Sequence, residues 1–169
     1  MKPVPGLHSM RGFTFVELLI TLALIGLLSM LALPLYEMTA TRAKESELRQ
    51  ALQTIRAGID AYKAAVDAGN LPRQAGESGY PASLELLTQP LELAGKRDAS
   101  DTLAARRMVI LRRLPRDPFA TDATASAEST WNTRAYASRA DDPQPGADVF
   151  DVASRSLRTG LDGTAYASW

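Results

Sequence analysis

The chain has 169 residues in which 19 Lys and Arg stand against 19 Asp and Glu, so the formal net charge is zero. That balance lacks the basic excess of a nucleic-acid binder, and no nucleic-acid partner is expected. There is no cysteine and one histidine, His8, which excludes disulfides, thiolate metal sites and cysteine nucleophiles. If the residues ahead of the long apolar run are removed, the histidine goes too. Ser-His-Asp and Cys-His catalysis and the usual zinc and iron ligand sets go with it, and the chain reads as something other than an enzyme.

Phe13–Tyr36 reads FTFVELLITLALIGLLSMLALPLY, with no charge between Leu18 and Leu33. At ~1.5 Å per residue this stretch is long enough to cross a bilayer core of about 30 Å. Lys2 and Arg11 precede it, with no acid before Glu17, so the positive-inside rule keeps the N-terminus cytoplasmic. A cleaved secretory signal is the competing reading. The run is longer than such a signal's apolar region, no clean small-x-small site follows it, and a carboxylate sits near its start, all of which count against that reading.

Glu17 admits two interpretations from its surroundings alone. A carboxylate in a membrane helix is costly without a partner, which makes it a functional candidate. Thr14-Phe15-Val16-Glu17 also fits the S/T-x-x-E capping box, in which Glu17 would satisfy backbone N–H groups of the first helical turn.

Arg11-Gly12-Phe13-Thr14-Phe15-Val16-Glu17-Leu18-Leu19 closely resembles the class III signal of type IV pilins and type II secretion pseudopilins. That signal is a short basic leader ending in Gly, then Phe, then Glu as fifth residue of the mature chain; Gly12, Phe13 and Glu17 match. The resemblance implies that a prepilin peptidase cuts after Gly12 and N-methylates Phe13. It also implies that Glu17 pairs with the N-terminal ammonium of a neighbouring subunit in a filament. Pro34 falls where such pilins often carry a helix-loosening proline, which removes one backbone hydrogen bond and kinks or melts the turn before it.

Beyond Pro34, Leu48, Leu52, Ile55, Ile59, Tyr62 and Val66 recur by four, three, four, three and four, one face of an amphipathic helix. Arg42, Lys44, Glu45, Glu47, Arg49, Arg56 and Lys63 are assigned to the remainder, and Gly69-Asn70 with Pro72 close behind is a stop. One helix from about Thr14 to Ala68 is therefore predicted. The rest of the chain is rich in alanine and poor in large apolar side chains, so it can bury only a thin core.

Residues 70–169 are dense in turn signals. Pro81–Gln89 is predicted as a short helix, and Leu103–Leu111 as a second one or as part of a variable loop carrying Arg106 and Arg107. Trp131–Ala137 and Val149–Ser154 read as short strands, with Gly163–Trp169 as a third. The fold class is α+β, pilin-like: a long N-terminal helix packed on a small antiparallel sheet. The organisation is a leader at 1–12, a membrane segment at 13–36, its amphipathic continuation at 37–69 and a periplasmic region at 70–169.

Two further segments resemble the type II secretion major pseudopilin. Leu111-Arg112-Arg113-Leu114-Pro115-Arg116-Asp117-Pro118-Phe119 is similar to its R-x-(I/L)-P-x-D-P-(aromatic) stretch. Here the prolines rigidify a turn and Asp117 can bond local N–H groups. Asp148–Val152, then Leu161–Tyr166 and Trp169, are similar to its C-terminal strand and loop. Many members of that family hold a calcium ion in this loop, and calcium takes six to eight oxygens. After Val152 only Asp162 is acidic, alongside Arg155 and Arg158, and Asp151 need not point into the same loop. No calcium and no other cofactor is expected, with packing of Tyr166 and Trp169 tying the loop down.

The resemblance implies a single-pass inner-membrane subunit of a type II secretion pseudopilus. Its partners would be copies of itself, other pseudopilins, the prepilin peptidase and the inner-membrane assembly platform. A minor pilin of a type IV pilus is the alternative, and a membrane-tethered binding module a further one.

Overall fold

A computed structural model describes residues 12–94 and 107–169. Helix α1 spans Phe15–Asp67, within one residue of both predicted ends. Its C-terminus is closed by a Schellman pair: the Asn70 N–H reaches the Ala65 carbonyl at 2.9 Å and the Gly69 N–H that of Val66 at 3.0 Å. Gly69 has φ +73°, a left-handed conformation that a Cβ would strain. The helix runs without interruption through Pro34, which leaves the Met30 carbonyl without its usual N–H partner four residues on.

The chain divides into two compact units, Met1–Thr41 and Arg42–Trp169. In the first, the large apolar side chains described between Phe13 and Tyr36, such as Phe15, Leu22, Ile25 and Met30, stand more than half exposed. The best eighteen-residue window of this segment has a mean hydropathy of 2.5, enough in length and composition to cross a membrane.

In the second unit the predicted stripe is the core. Leu48, Leu52, Ile55 and Ile59 are buried against Leu84, Leu87, Phe119, Trp131, Val149, Val152 and Tyr166. Val66 joins Ala65 and Leu71 in a smaller cluster. Gly58 is mid-helix for a packing reason: a Cβ there would come within 3.1 Å of the Leu111 side chain. Glu45 departs from the sequence assignment. It lies among the buried residues and not on the solvated face, since it precedes Leu48 by three positions and Leu52 by seven, on the same side of the helix.

Pro81–Gln89 forms only a four-residue 3-10 turn, Leu84–Leu87. It buries Leu84 and Leu87, three residues apart, which is the period of that tighter turn. Ser83 supplies no cap; the Leu84 N–H is met instead by the Glu128 carboxylate at 2.9 Å. Strand β1, Leu91–Glu92, pairs antiparallel with β2, Arg107–Met108, in the register Leu91 to Met108. A helix through Leu111 is thereby corrected for the described part of Leu103–Leu111; residues 103–106 lie outside the described residues. Met108 packs on the Val66 cluster, and Ile110 and Leu111 pack on the main core, a sequence of directions that an extended chain satisfies.

Strands β3, Trp131–Arg134, and β4, Asp151–Ser154, form the second antiparallel pair, with Trp131 opposite Ser154 and Arg134 opposite Asp151. Both are shorter than predicted. Beyond Arg134 the Ala135 N–H turns to the Gln144 carbonyl and the Val149 N–H to that of Pro81. The expected third strand at Gly163–Trp169 is absent. An isolated bridge joins Thr159 and Ala165, and a 3-10 turn follows at Tyr166–Ser168. The cause is local: Gly163 takes φ +83°, and the Thr164 N–H bonds the Asp162 carboxylate at 3.0 Å, a side-chain turn that reverses the chain. A long helix with small antiparallel sheets makes this an α+β, pilin-like fold.

Asp117 shows why the proline-flanked motif is structural. It is buried, accepts the Phe119 N–H at 2.8 Å, and accepts the Ser154 hydroxyl from β4 at 2.5 Å. Asp117→Ala leaves both donors buried and unpaired, so a loss on the order of 3 kcal/mol is expected, with a smaller one for Asp117→Asn. Urea unfolding followed by tryptophan fluorescence checks this; a loss below about 1 kcal/mol would show that water replaces the carboxylate.

Candidate processing and assembly site

Gly12 and Phe13 precede the helix and are exposed, with Phe13 77% exposed. Thr14 is the N-cap: its hydroxyl oxygen accepts the Glu17 N–H at 3.2 Å, while its carbonyl accepts the Leu18 N–H at 3.2 Å. Half of the capping box is thus formed. Its other half is a bond from the Thr14 N–H back to the Glu17 carboxylate. Among the described residues, Glu17 makes neither that bond nor an ion pair, and its carboxylate stands in the first turn of an apolar helix.

The hydroxyls farther along the segment are satisfied within it. Thr21 bonds the Leu18 carbonyl at 2.9 Å, Ser29 that of Ile25 at 2.8 Å and Thr39 that of Leu35 at 2.8 Å. Such back-bonding lets small hydroxylic residues sit in lipid at little cost. Glu17 is therefore the odd group: the one carboxylate of the apolar stretch, with no partner among the described residues to neutralise it.

The two acids named in the sequence for a calcium ion are engaged by different arginines. Asp151 accepts from Arg56 Nε at 2.8 Å and lies 3.6 Å from Arg134. Asp162 accepts from Arg49 at 3.2 Å and from the Thr164 hydroxyl at 2.7 Å. Among the described residues no group of three or more His, Cys, Asp or Glu gathers to hold a metal. Asp151, on β4, and Asp162, in the loop, each accept from a different arginine, which is not the gathered set of six to eight oxygens that calcium takes.

A third carboxylate beside this loop belongs to Glu45, which sequence reasoning placed on the solvated face. Its Oε1 accepts the Leu161 N–H at 2.7 Å and the Tyr166 hydroxyl at 3.0 Å. Tyr166 is fully buried and stacks on Phe119 with ring centroids 4.2 Å apart, so the expected packing of Tyr166 and Trp169 is present. An acid at i−3 from the first core leucine was the available signal.

Residues 7–33 match the family described as prokaryotic N-terminal methylation motif. No curated protein and no solved structure matches the chain. The motif supports a pilin-like protein of the kind that prepilin peptidase processes, and the long apolar helix fits a membrane anchor. Gly12, Phe13 and Glu17 all fall inside the matched segment.

Burial holds the Tyr166 phenol above its ordinary value, and the Glu45 carboxylate adds to this by accepting its proton and repelling the phenolate. The unfolded chain ionises near ~10. The stabilising contribution is therefore whole below that pH and is lost as pH rises through the folded value. Tyr166→Phe removes the ionisation and should flatten the alkaline limb of a stability-against-pH curve. Tyr62, also raised by burial, leaves a residual slope. An alkaline limb as steep as the parent's would assign the effect to another group.

Proposed function

We propose that the chain is a pseudopilin of a type II secretion system, of the major-subunit kind. Prepilin peptidase removes residues 1–12 on the cytoplasmic side and methylates the new N-terminus at Phe13. The subunit waits in the inner membrane with residues beyond Tyr36 in the periplasm. The assembly platform then extracts it to polymerise with copies of itself and other pseudopilins. Its work is mechanical and not catalytic: a growing periplasmic fibre drives protein export.

The observation that carries this reading is Glu17. With residues 1–12 removed, a carboxylate without a partner among the described residues, in the first turn of an exposed apolar helix and four residues after the expected methylated terminus, asks for a cation from outside its own chain. The ammonium of a neighbouring Phe13 supplies one. The resemblances at Leu111–Phe119 and at Asp148–Trp169 favour the secretion pseudopilus over a type IV pilus.

Processing has a direct readout. Intact mass of the membrane-extracted protein should correspond to a chain starting at a methylated Phe13. Recovery of the full-length chain, or of a start beyond Leu33, would mean a tether or a secretory signal instead.

Assembly is separated from capping by two substitutions. Glu17→Gln removes charge while keeping a capping-box side chain, so under the pairing reading it inserts and is cleaved yet is lost from sheared fibres. Breaking such a pair costs on the order of 3–5 kcal/mol. Thr14→Ala costs about 1 kcal/mol of helix capping and leaves fibres nearly intact. Normal fibres from Glu17→Gln together with weak ones from Thr14→Ala would assign Glu17 to capping alone.

A further inference from the structure

Loop residues 159–169 close over two carboxylates that converge on one glycine. A Cβ built at Gly160 would lie 3.0 Å from Asp162 Oδ1, 3.1 Å from Glu45 Oε1 and 2.9 Å from the Trp169 ring. Two acids aimed at one point in a loop are costly unless a positive charge lies beside them. The cation bonded to Asp162 is Arg49, one helical turn after Glu45. Its guanidinium donates to Asp162 Oδ2 at 3.2 Å and lies 4.3 Å above the Trp169 ring. The Trp169 indole N–H donates to the Thr164 hydroxyl at 2.5 Å, and that hydroxyl donates to Asp162, which closes the ring of contacts.

We propose that the Arg49 guanidinium is the built-in cation of this loop, taking the place of the calcium ion that the resemblance implies and making closure of the loop independent of metal. Arg49 acts here as a positioning residue: its fork holds Asp162, and its flat face holds Trp169. A divalent ion competing for the same carboxylates meets a guanidinium at hydrogen-bonding distance and donors already on Glu45. The proposal does not rest on fibre formation.

The test uses the full-length chain in detergent, with melting followed by near-ultraviolet circular dichroism in chelator, in calcium and in magnesium. The parent should melt at one temperature in all three. Arg49→Ala should lose about 4 °C in chelator and recover part of it in calcium but not in equal magnesium, because its two converging carboxylates then lack a cation. Arg49→Lys should keep more of the parent's stability than Arg49→Ala, since it retains the charge. Gly160→Ala should lose stability in every condition with no recovery, because its Cβ blocks the point of convergence. A calcium-dependent rise in the parent overturns the proposal. So does an Arg49→Ala chain that melts like the parent, or one whose loss calcium does not answer.

Discussion

Helix α1 has to meet two surroundings with one continuous run of backbone hydrogen bonds. Up to Tyr36 its large side chains are apolar and exposed, and its few hydroxyls bond back to carbonyls one turn earlier. That pattern suits a solvent without hydrogen-bonding capacity, where any unsatisfied polar group costs several kcal/mol. From Leu48 on, the apolar residues narrow to a stripe and the remaining faces carry charge. The change of pattern falls close to the boundary between the two compact units at Thr41 and Arg42.

Three acids illustrate how a carboxylate without water is dealt with. Asp117 is consumed by the Phe119 N–H and the Ser154 hydroxyl. Glu45 is consumed by the Leu161 N–H and the Tyr166 hydroxyl. Both are fixed inside one chain, and their role is to tie distant segments together. Glu17 has no such partner among the described residues. The contrast separates a structural acid from one that a second molecule can complete, and composition alone would not have distinguished them.

The helix was legible because a 3.6-residue period sustained from Leu48 to Val66 leaves little freedom, and because Gly69 marks its end with a conformation other residues resist. The N-terminal motif was legible because it is local in sequence, and residues 7–33 match its family. Glu45 was not, because it was assigned by charge when its spacing from Leu48 and Leu52 placed it on the buried side. The pairing of Leu91–Glu92 with Arg107–Met108 is too short to leave a period. The third strand failed at Gly163, where a positive φ and the Asp162 side-chain turn outweigh the extended preference of the flanking residues. In the last two misses a long-range contact or a single backbone conformation decided what local composition left open, whereas for Glu45 the spacing was there to be read.

Alongside the apolar stripe, α1 carries a second, polar seam: Glu45, Arg49 and Arg56, four and seven positions apart and so close to one line along the helix. Each holds a different part of the C-terminal segment. Glu45 takes Leu161 and Tyr166, and Arg49 takes Asp162 and Trp169. Arg56 reaches Asp151 and the carbonyl oxygens of Val152 and Trp169, the last at 2.6 Å. A core as small as this, one cluster of twelve buried residues and one of three among those described, gains a limited amount from burial alone. Directed hydrogen bonds from ionised groups, roughly twice as strong as neutral ones, fix the register that so small an apolar surface leaves loosely specified. The seam thus ties the segment from Asp151 to Trp169 to a helix whose other half is apolar and exposed.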